Sequence, residues 1–534
     1  MPDFDIVVIG GGHNGLTAAA YFAALGFSTV VLERNKKLGG GVVTDEVMPG
    51  VHMDLHSLVH VNIMANPMIK NDELGLQSKF GLKYIRQDLQ TASAWLDGSY
   101  LMFYKDLEKT VKSISRFNVR DAERYKKMVH WALPLLEGTL DGGFDTTPTP
   151  IAKFLEELEL SAEGRDMLSL MFCNAIDLIS EFGIEDPRLQ AYLVKTAMDW
   201  FHGDPRREGT GVLMLLELIT LHKYGQGIPV GGSGKLSEAL EASIRDNGGQ
   251  LYTNSGVDQI IVEDGVASGA RLQDGRVIKA KKAVVANLNV KQIPLLCGED
   301  VLDQHYRSQV NRIVHGYSSG QVEWVLSDFP KFSANPDLMK CYFVRMAESV
   351  EEVLKLSDSV GRGEPQWQYP NVFVHTLLDG SRAPKGIHTL NMWIFNPYKL
   401  REGGAEAWDD VKDEIAKKAY ENLGRYCPNL SENIVLRRHF QSPLDYVRWD
   451  PSMINGDINH IAETFYQNGS MRPLPGYGDF GTPIRGLYLC GSSTNTGGGV
   501  TGQARAAAKA VVTYLGFDFH QLMSVARSAG RIPN

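Results

Sequence analysis

Cysteine is scarce in this chain, with five residues in 534: Cys173, Cys297, Cys341, Cys427 and Cys490. None forms a CxxC pair or stands near a histidine at metal-ligand spacing. Neither a disulfide framework nor a cysteine metal site is expected, and the thiols read as buried or idle groups in a reducing compartment. Long hydrophobic runs are lacking too. No stretch of roughly 18 uninterrupted apolar residues occurs, so no membrane-crossing helix is expected. Long runs of Lys or Arg are absent and the formal net charge is −9, which makes nucleic acid an unexpected partner. The first strand-like run begins near Phe4 and leaves no room for a signal or transit peptide. A cytoplasmic protein is expected, with peripheral membrane contact at most. No internal repeat of roughly 20–50 residues is visible.

What is present is ordinary for a large globular enzyme. Apolar residues make up 43% and charged residues 22%, in a length that suits two or three domains. Residues 4–9, FDIVVI, form an apolar run of β character. GGGHNG follows, then the Ala-rich LTAAAYFAALG, then STVVLE ending at Glu33. Strand, glycine turn, helix and strand in about 30 residues make a βαβ unit.

In Gly10-x-Gly12-x-x-Gly15 the first glycine allows a tight turn and the second lets the backbone approach a pyrophosphate. The third lets the helix pack on the strand. The helix N-terminus, with His13 and Asn14 in its first turn, offers N–H groups to phosphates. Glu33, about 20 residues on, is placed to accept hydrogen bonds from ribose hydroxyls and to repel a 2′-phosphate.

A second glycine turn, Gly39 to Gly41, follows soon after Glu33 and Arg34, ahead of Thr44. A dehydrogenase that binds only NAD normally runs straight on to another helix here, so this turn points to a ligand longer than the adenine half of NAD. The third turn lies near the C-terminus, where Gly491 and residues 497–499 precede Val500, Thr501 and Gly502. These open the last Ala-rich helix, whose N–H groups suit the pole of a flavin ring where negative charge collects on reduction.

Between these turns the character changes twice. Residues 74–226 are mostly helix-like, at 122–137, 151–160 and 165–182, with a polar loop at 141–150. From Gly231, GGSGKLSEALEASIRDNGG is a turn and helix. Strand-like runs follow at 250–264, 267–278 and 281–287, with turn residues over 269–276. Residues 291–477 mix strands (321–326, 372–377, 389–395) with a helix at 408–425. The fold class expected is α/β: an FAD-binding Rossmann-like domain built from three separated segments, 1–73, 227–290 and 480–534, plus an inserted α+β substrate domain. The insert comprises a helical part, 74–226, and a mixed part, 291–479.

DIVVIGGGHNGLTAAAYFAALG, GGSGKLSEAL and RPLPGYGDFGTPIRGLYLCGSSTNTGGGVTGQ resemble the phytoene-desaturase-like flavoproteins. More narrowly, they resemble the branch of carotenoid ketolases and pyridine-nucleotide-disulfide-oxidoreductase-domain proteins. The likeness is specific over about residues 1–60, 225–290 and 455–515. It implies an amine-oxidase-type fold, noncovalent FAD and a lipophilic, polyene-like substrate, with the backbone of Val257 presented to the adenine. The expected cofactor contacts are Gly10, Gly12, His13, Asn14, Gly15, Glu33, Arg34, Gly40, Gly41, Thr44, Val257, Asn287, Gly491, Gly499, Val500 and Thr501. The family often has Arg after the second glycine pair; Gly41 stands there instead, so no Arg contact is carried over.

Acid–base candidates are fewer. His56 and His60 are four apart and would share a face on a helix, which suits a proton relay or a metal. No third ligand is apparent and no metal is expected. Two hydrogen-bonded histidines near the domain junction are the alternative. Asp457 and His460 stand just upstream of the C-terminal block, and catalysis and loop bracing are both open for them. Oxidation by flavin needs little acid–base help, because its N5 takes the hydride and substrate placement does most of the work.

Met167, Met171, Phe172, Trp200, Phe201, Trp324, Tyr342, Phe343, Trp393 and Phe395 read mainly as core, with some lining an apolar tunnel. The activity expected is that of a dehydrogenase or desaturase acting on CH–CH or CH–OH groups of an apolar, polyene-like or aromatic molecule. Electrons leave to oxygen, a quinone or another acceptor. An isomerase or ketolase on the same scaffold and a noncatalytic FAD-stabilised interaction protein are the alternatives. Substrate identity, acceptor and homo-oligomerisation are open.

Overall fold

The structure is a computed structural model, and it describes residues 3–142, 146–298 and 300–533 of the chain. Its organising element is β1 (Asp3–Ile9), in which Ile6, Val7 and Val8 are wholly buried. A strand that is apolar on both faces belongs in the middle of a parallel sheet covered on both sides. The helix α1 (His13–Ala24) follows the first glycine turn, and β2 (Thr29–Leu32) returns parallel to β1, with Val7 opposite Val30 and Ile9 opposite Leu32.

On its other side β1 pairs in parallel with Val277–Ala286, which pairs in turn with Leu487–Leu489. Gln250–Tyr252 lies parallel beyond β2. Val257–Glu263 and Val266–Leu272 join antiparallel to complete a seven-stranded sheet. Its parallel strands therefore come from three stretches far apart in sequence.

Small residues let the covering layer approach closely. Ala18, Ala19, Ala20 and Ala24 of α1 are wholly buried, and α1 packs on both Gly234–Asp246 and Ala504–Tyr514. One apolar core unites Ile6, Leu16, Leu240, Ala283 and Val511.

A second, eight-stranded sheet is built around Ser318–Leu326, every residue of which is buried. It pairs antiparallel with His388–Asn396 throughout. Next come Asn371–Phe373, Phe343–Arg345, Leu89–Ala94 and Tyr100–Tyr104. Trp408–Gly424 covers this sheet, with Trp324 against Tyr420. Helices from Val119–Gly142 to Thr210–Lys223 form a further core that includes Phe395 of the sheet. The fold is thus α/β, with the helical and mixed parts carried as insertions.

Several expected elements differ in detail. The run at 250–264 breaks after Tyr252 because the chain turns to bond the end of β2, with Asn254 N–H on Asn35 O (3.1 Å) and Ser255 N–H on Glu33 O (2.7 Å). The segment 165–182 is two helices, because Asn174 caps the second by accepting from Ile176 and Asp177 N–H groups. The strand expected at 372–377 is Asn371–Phe373, and His375–Leu377 is a 3-10 turn. The helix expected at 122–137 runs Val119–Gly142, so it takes in the start of the loop expected at 141–150, of which 143–145 lie outside the described residues. Gly269 lies inside a strand, where an added Cβ would stand 2.3 Å from Ile278 O. Among the described residues no helix is long and apolar enough to cross a membrane.

Candidate active site

The three glycine turns meet. At the first, Gly10 has φ +93°, and a Cβ on Gly15 would lie 2.0 Å from Gly10 O, so only glycine lets α1 start this close to β1. The helix opens without a side-chain cap and without an acidic residue in its first turn. Its leading N–H groups have no partner within the helix and suit an anion.

The second turn lies directly on the first. Gly39 N–H donates to Gly11 O (2.8 Å), His13 N–H donates to Gly39 O (3.2 Å), and Gly40 approaches Gly12 so closely that a Cβ would stand 2.9 Å from its Cα. Asn287 links the turns. Its N–H donates to Ile9 O (2.8 Å), its Nδ2 to Gly10 O (3.3 Å), and a Cβ on Gly491 would come 3.1 Å from its Oδ1. The third turn reaches the first where His13 Nε2 donates to Gly499 O (3.3 Å).

Glu33 is buried beside this junction. Its Oε2 accepts from Gly11 N–H and its Oε1 from Asn35 N–H, each at 2.7 Å. Burial raises its carboxyl pKa, while these two donors hold it down. Arg34 Nη2 donates to Trp449 O (2.8 Å). Val257 follows the segment bonded to Glu33. Thr44 Oγ1 donates to Asp54 Oδ1 (2.5 Å) and accepts from Gly234 N–H (2.9 Å), tying its hairpin to a helix.

From the junction a cavity of about 270 Å³ extends into the inserted region. Gly12, His13, Asn14, Gly40, Gly41, His56, Asn287, His460, Gly499 and Val500 line it among the expected residues. Asn14 Oδ1 is buried there without a partner among the described residues. Gly10, Gly15, Glu33, Arg34, Thr44, Val257, Gly491, Thr501, His60 and Asp457 are outside its lining. Trp200, Phe343, Phe373, Trp393 and Tyr446 supply aromatic walls. Of the expected core residues, Phe172 is 54% exposed and belongs to neither core nor cavity.

His56 and His60 do not share a helical face, because residues 55–61 are not helical. Ser57 N–H is held by Gly41 O (3.1 Å) and His60 N–H by Gly227 O (3.0 Å), which pins the chain to two other segments. The His56 ring lies edge-on to Tyr446 at 5.0 Å, and neither nitrogen has a hydrogen-bond partner among the described residues. Burial lowers its pKa to about 4, against the attraction of Asp450. His60 is hydrogen-bonded through Nδ1 to the Tyr84 hydroxyl (2.9 Å), and burial takes it to about 3.

His460 faces the cavity with Nδ1 unpartnered, and burial lowers it to about 3. Its carbonyl accepts from Asn289 Nδ2 (2.9 Å) and His315 Nδ1 (3.0 Å). Asp457 accepts from Gly316 N–H (2.7 Å) and Asn459 N–H (2.9 Å), a bracing position, and burial raises it to about 6.

Two groups were missed by sequence reasoning. Arg472, inside the C-terminal block, is wholly buried. It donates to the carbonyls of Asn459 (2.9 Å), Ser492 (2.8 Å) and Thr494 (3.0 Å), fastening the third turn to the loop at His460. Asp199, Glu217, Arg345 and Asn371 form a polar portion of the cavity wall. Their signal was present as charges inside apolar helical runs: Lys195 and Asp199 four apart, and Glu217 within LMLLELIT.

Residues 8–66 match a family described as an NAD(P)-binding Rossmann-like domain. The chain is similar over almost its whole length to a limonene dehydrogenase polypeptide of Castellaniella defragrans, 29% identical over 547 residues that cover 96% of this chain and 95% of that protein. The pyridine nucleotide-disulfide oxidoreductase domain-containing protein 2 of Mus musculus is 27% identical, covering 96% of this chain and 93% of that one. A lycopene-forming phytoene desaturase of Pseudescherichia vulneris is 24% identical, covering 95% and 98%. The resemblance read from the sequence holds.

The fold is shared with an oxidoreductase of Methanosarcina mazei (TM-score 0.62, 18% identity, 96% of this chain and 100% of that one). A putrescine oxidase triple mutant has a TM-score of 0.61 at 12% identity, covering 96% and 99%. The fold is of the amine-oxidase type, and the oxidoreductase reading stands. The Rossmann-like segment and these neighbours imply a flavin cofactor. The uncapped helix start, the glycine cradle and the unpartnered Asn14 Oδ1 fit one.

Proposed function

We propose that the protein is an FAD-dependent dehydrogenase or desaturase that oxidises a CH–CH or CH–OH group of an apolar small molecule. One observation carries this reading: a single cavity runs from the paired glycine turns at Gly12 and Gly40 to the aromatic walls at Trp200, Phe343, Phe373 and Trp393. FAD, when bound, supplies the hydride acceptor.

The chain's own part is binding, orientation and exclusion of water. The start of α1, with Gly10, Gly12, His13, Asn14 and Gly15, receives the diphosphate. Glu33 keeps lone pairs for ribose hydroxyls beyond the two N–H groups it already accepts. Arg34, Thr44 and Val257 serve the adenosine side. Gly40, Gly41, Asn287, Gly491, Gly499, Val500 and Thr501 serve the ring side. In this scheme residues 1–73, 227–290 and 480–534 form the FAD domain, and 74–226 with 291–479 form the substrate domain. The aromatic walls hold the substrate in place, which is where most of the rate advantage arises. His56 and His460 face it as neutral imidazoles, their pKa values lying near 4 and 3. Asp457 braces the His460 loop. Oxygen, a quinone or another acceptor takes the electrons, and the protein works in the cytoplasm or at a membrane surface.

The test uses purified protein, first for retained FAD and then for anaerobic bleaching of its flavin bands by monoterpene, polyene and aromatic alcohol donors. Bleaching by at least one donor class is expected. FAD-loaded protein that no lipophilic donor bleaches would overturn the reading.

A further inference from the structure

Glu217 is 2% exposed and lines the cavity. Its Oε1 accepts from Arg345 Nη2 at 2.7 Å, but its Oε2 is buried with no partner among the described residues. An unpaired buried carboxylate oxygen is costly, and native structures leave few such groups without a reason.

The neighbours of Glu217 are bonded or ion-paired largely with one another. Arg345 Nη1 donates to Thr196 Oγ1 (2.6 Å) and its Nε is paired with Asp199 Oδ2 (2.8 Å). Asn371 Nδ2 donates to the same Asp199 oxygen (3.0 Å), and Lys195 is ion-paired with Asp199 Oδ1. Arg345 and Asn371 are register partners on adjacent strands, while Asp199 and Glu217 come from the helices Pro187–Phe201 and Thr210–Lys223. Four elements therefore hold Glu217 in place with one acceptor left over. The wall beside it is apolar: Phe343 and Phe373 stack at 4.3 Å. A pure hydrocarbon would fill this space and leave Oε2 unsatisfied.

We propose that this portion of the wall recognises one hydroxyl group on an otherwise apolar substrate, with Glu217 Oε2 as the acceptor. The proposal rests on the oxidoreductase reading and narrows its substrate class from hydrocarbon to lipophilic alcohol. A hydroxyl is favoured over an ammonium group by charge balance. Lys195 and Arg345 already offset Asp199 and Glu217, so a buried cation would add uncompensated charge, whereas a hydroxyl adds none. Sites built to bond a substrate hydroxyl discriminate strongly against analogues that lack it. Glu217 is thus a specificity-determining residue that sets how the apolar chain lies in the cavity.

The test compares octane, methyl octyl ether, octanol and octylamine on the FAD-loaded protein, with binding read from intrinsic tryptophan fluorescence; Trp200 and Trp393 stand in the wall. Octanol should bind about ten- to hundredfold more tightly than octane or the ether, and more tightly than octylamine. Glu217→Gln supplies the sharper arm. Its amide oxygen keeps the Arg345 bond and places an NH2 at the former Oε2; octanol and the ether can both accept from it, so the preference for octanol over the ether should shrink to near parity. A merely structural role for Glu217 would weaken all ligands alike.

Equal affinity for octanol, ether and octane would overturn the proposal, as would tightest binding of octylamine or an unchanged alcohol preference in Glu217→Gln. The wild-type series alone decides the matter if the variant fails to fold. Absence of FAD from the purified protein, scored before any ligand is added, would instead overturn the function proposed above.

Discussion

The two ends of the cavity are built on different principles. At the end proposed for the dinucleotide most of the groups on offer are backbone: N–H groups of α1 and glycines whose lack of a Cβ lets Gly10, Gly12, Gly15 and Gly40 come together. At the inserted end they are side chains: an aromatic wall, and a buried cluster of two cations and two anions drawn from elements that begin more than 150 residues apart, Pro187–Phe201 and Phe343–Arg345. Backbone recognition confines the sequence tightly, because only glycine tolerates the geometry. Side-chain recognition leaves the local sequence free, because the partners meet only after folding. One end should therefore fail all at once when altered, and the other by degrees.

The largest effect is expected at the glycine end. Gly15→Val forces a side chain where a Cβ already lies 2.0 Å from Gly10 O, so α1 must shift off β1. Flavin content of the purified variant should fall to near zero. Retention of a full complement of FAD would break the comparison at its stronger limb.

Next is Arg345→Met, which removes one cation and leaves Glu217 and Asp199 buried with too little compensation. Breaking a buried pair in this way costs about 3–5 kcal/mol, visible as a marked drop in Tm. Flavin binding at low temperature should survive, since the altered residue lies outside the glycine turns.

Acidification should act on both ends. His13, His56 and His202 are lowered to about 4 by burial, and His60 and His460 to about 3. Each therefore stays neutral in the folded state while its unfolded counterpart gains a proton below about 6.5. Unfolded chains bind more protons in that window, so stability falls as pH is lowered from about 6.5 toward 4. Asp457, raised to about 6, works the other way between that value and about 3.8, as do Glu33, Glu217 and Glu323, which burial also raises, but these carboxyls are outnumbered by the imidazoles, since His222, His315 and His375 are lowered to about 4 as well. Thermal melts over this range should show a steady loss of Tm with acid; a flat profile would contradict the burial of these rings.

The smallest effect separates the two histidines that sequence spacing pairs. His56→Phe alters the cavity wall and should change KM for an apolar donor several-fold. His60→Phe breaks the bond to Tyr84, lowering Tm modestly with KM unchanged. Equal KM effects would restore the pair.

This contrast also explains what the sequence revealed. The βαβ unit, the three turns and the α/β class were legible because glycine spacing encodes them locally. The break after Tyr252 was not, because it depends on long-range bonds from 254 and 255 to the end of β2. His56 and His60 suggested a helical face by spacing alone, but Gly41 and Gly227, remote in sequence, hold that segment non-helical. Glu217 gave a faint sign as a charge in an apolar helix. Its hydrogen-bond partner Arg345 lies more than a hundred residues away and carries no local mark.

If turns at the start, near Gly40 and at the end of the chain hold one flavin dinucleotide between them, release and quantification of the cofactor from the purified wild-type protein should yield FAD at one molecule per chain. A protein that is colourless, takes up no added FAD, or yields only NAD or NADP would contradict it.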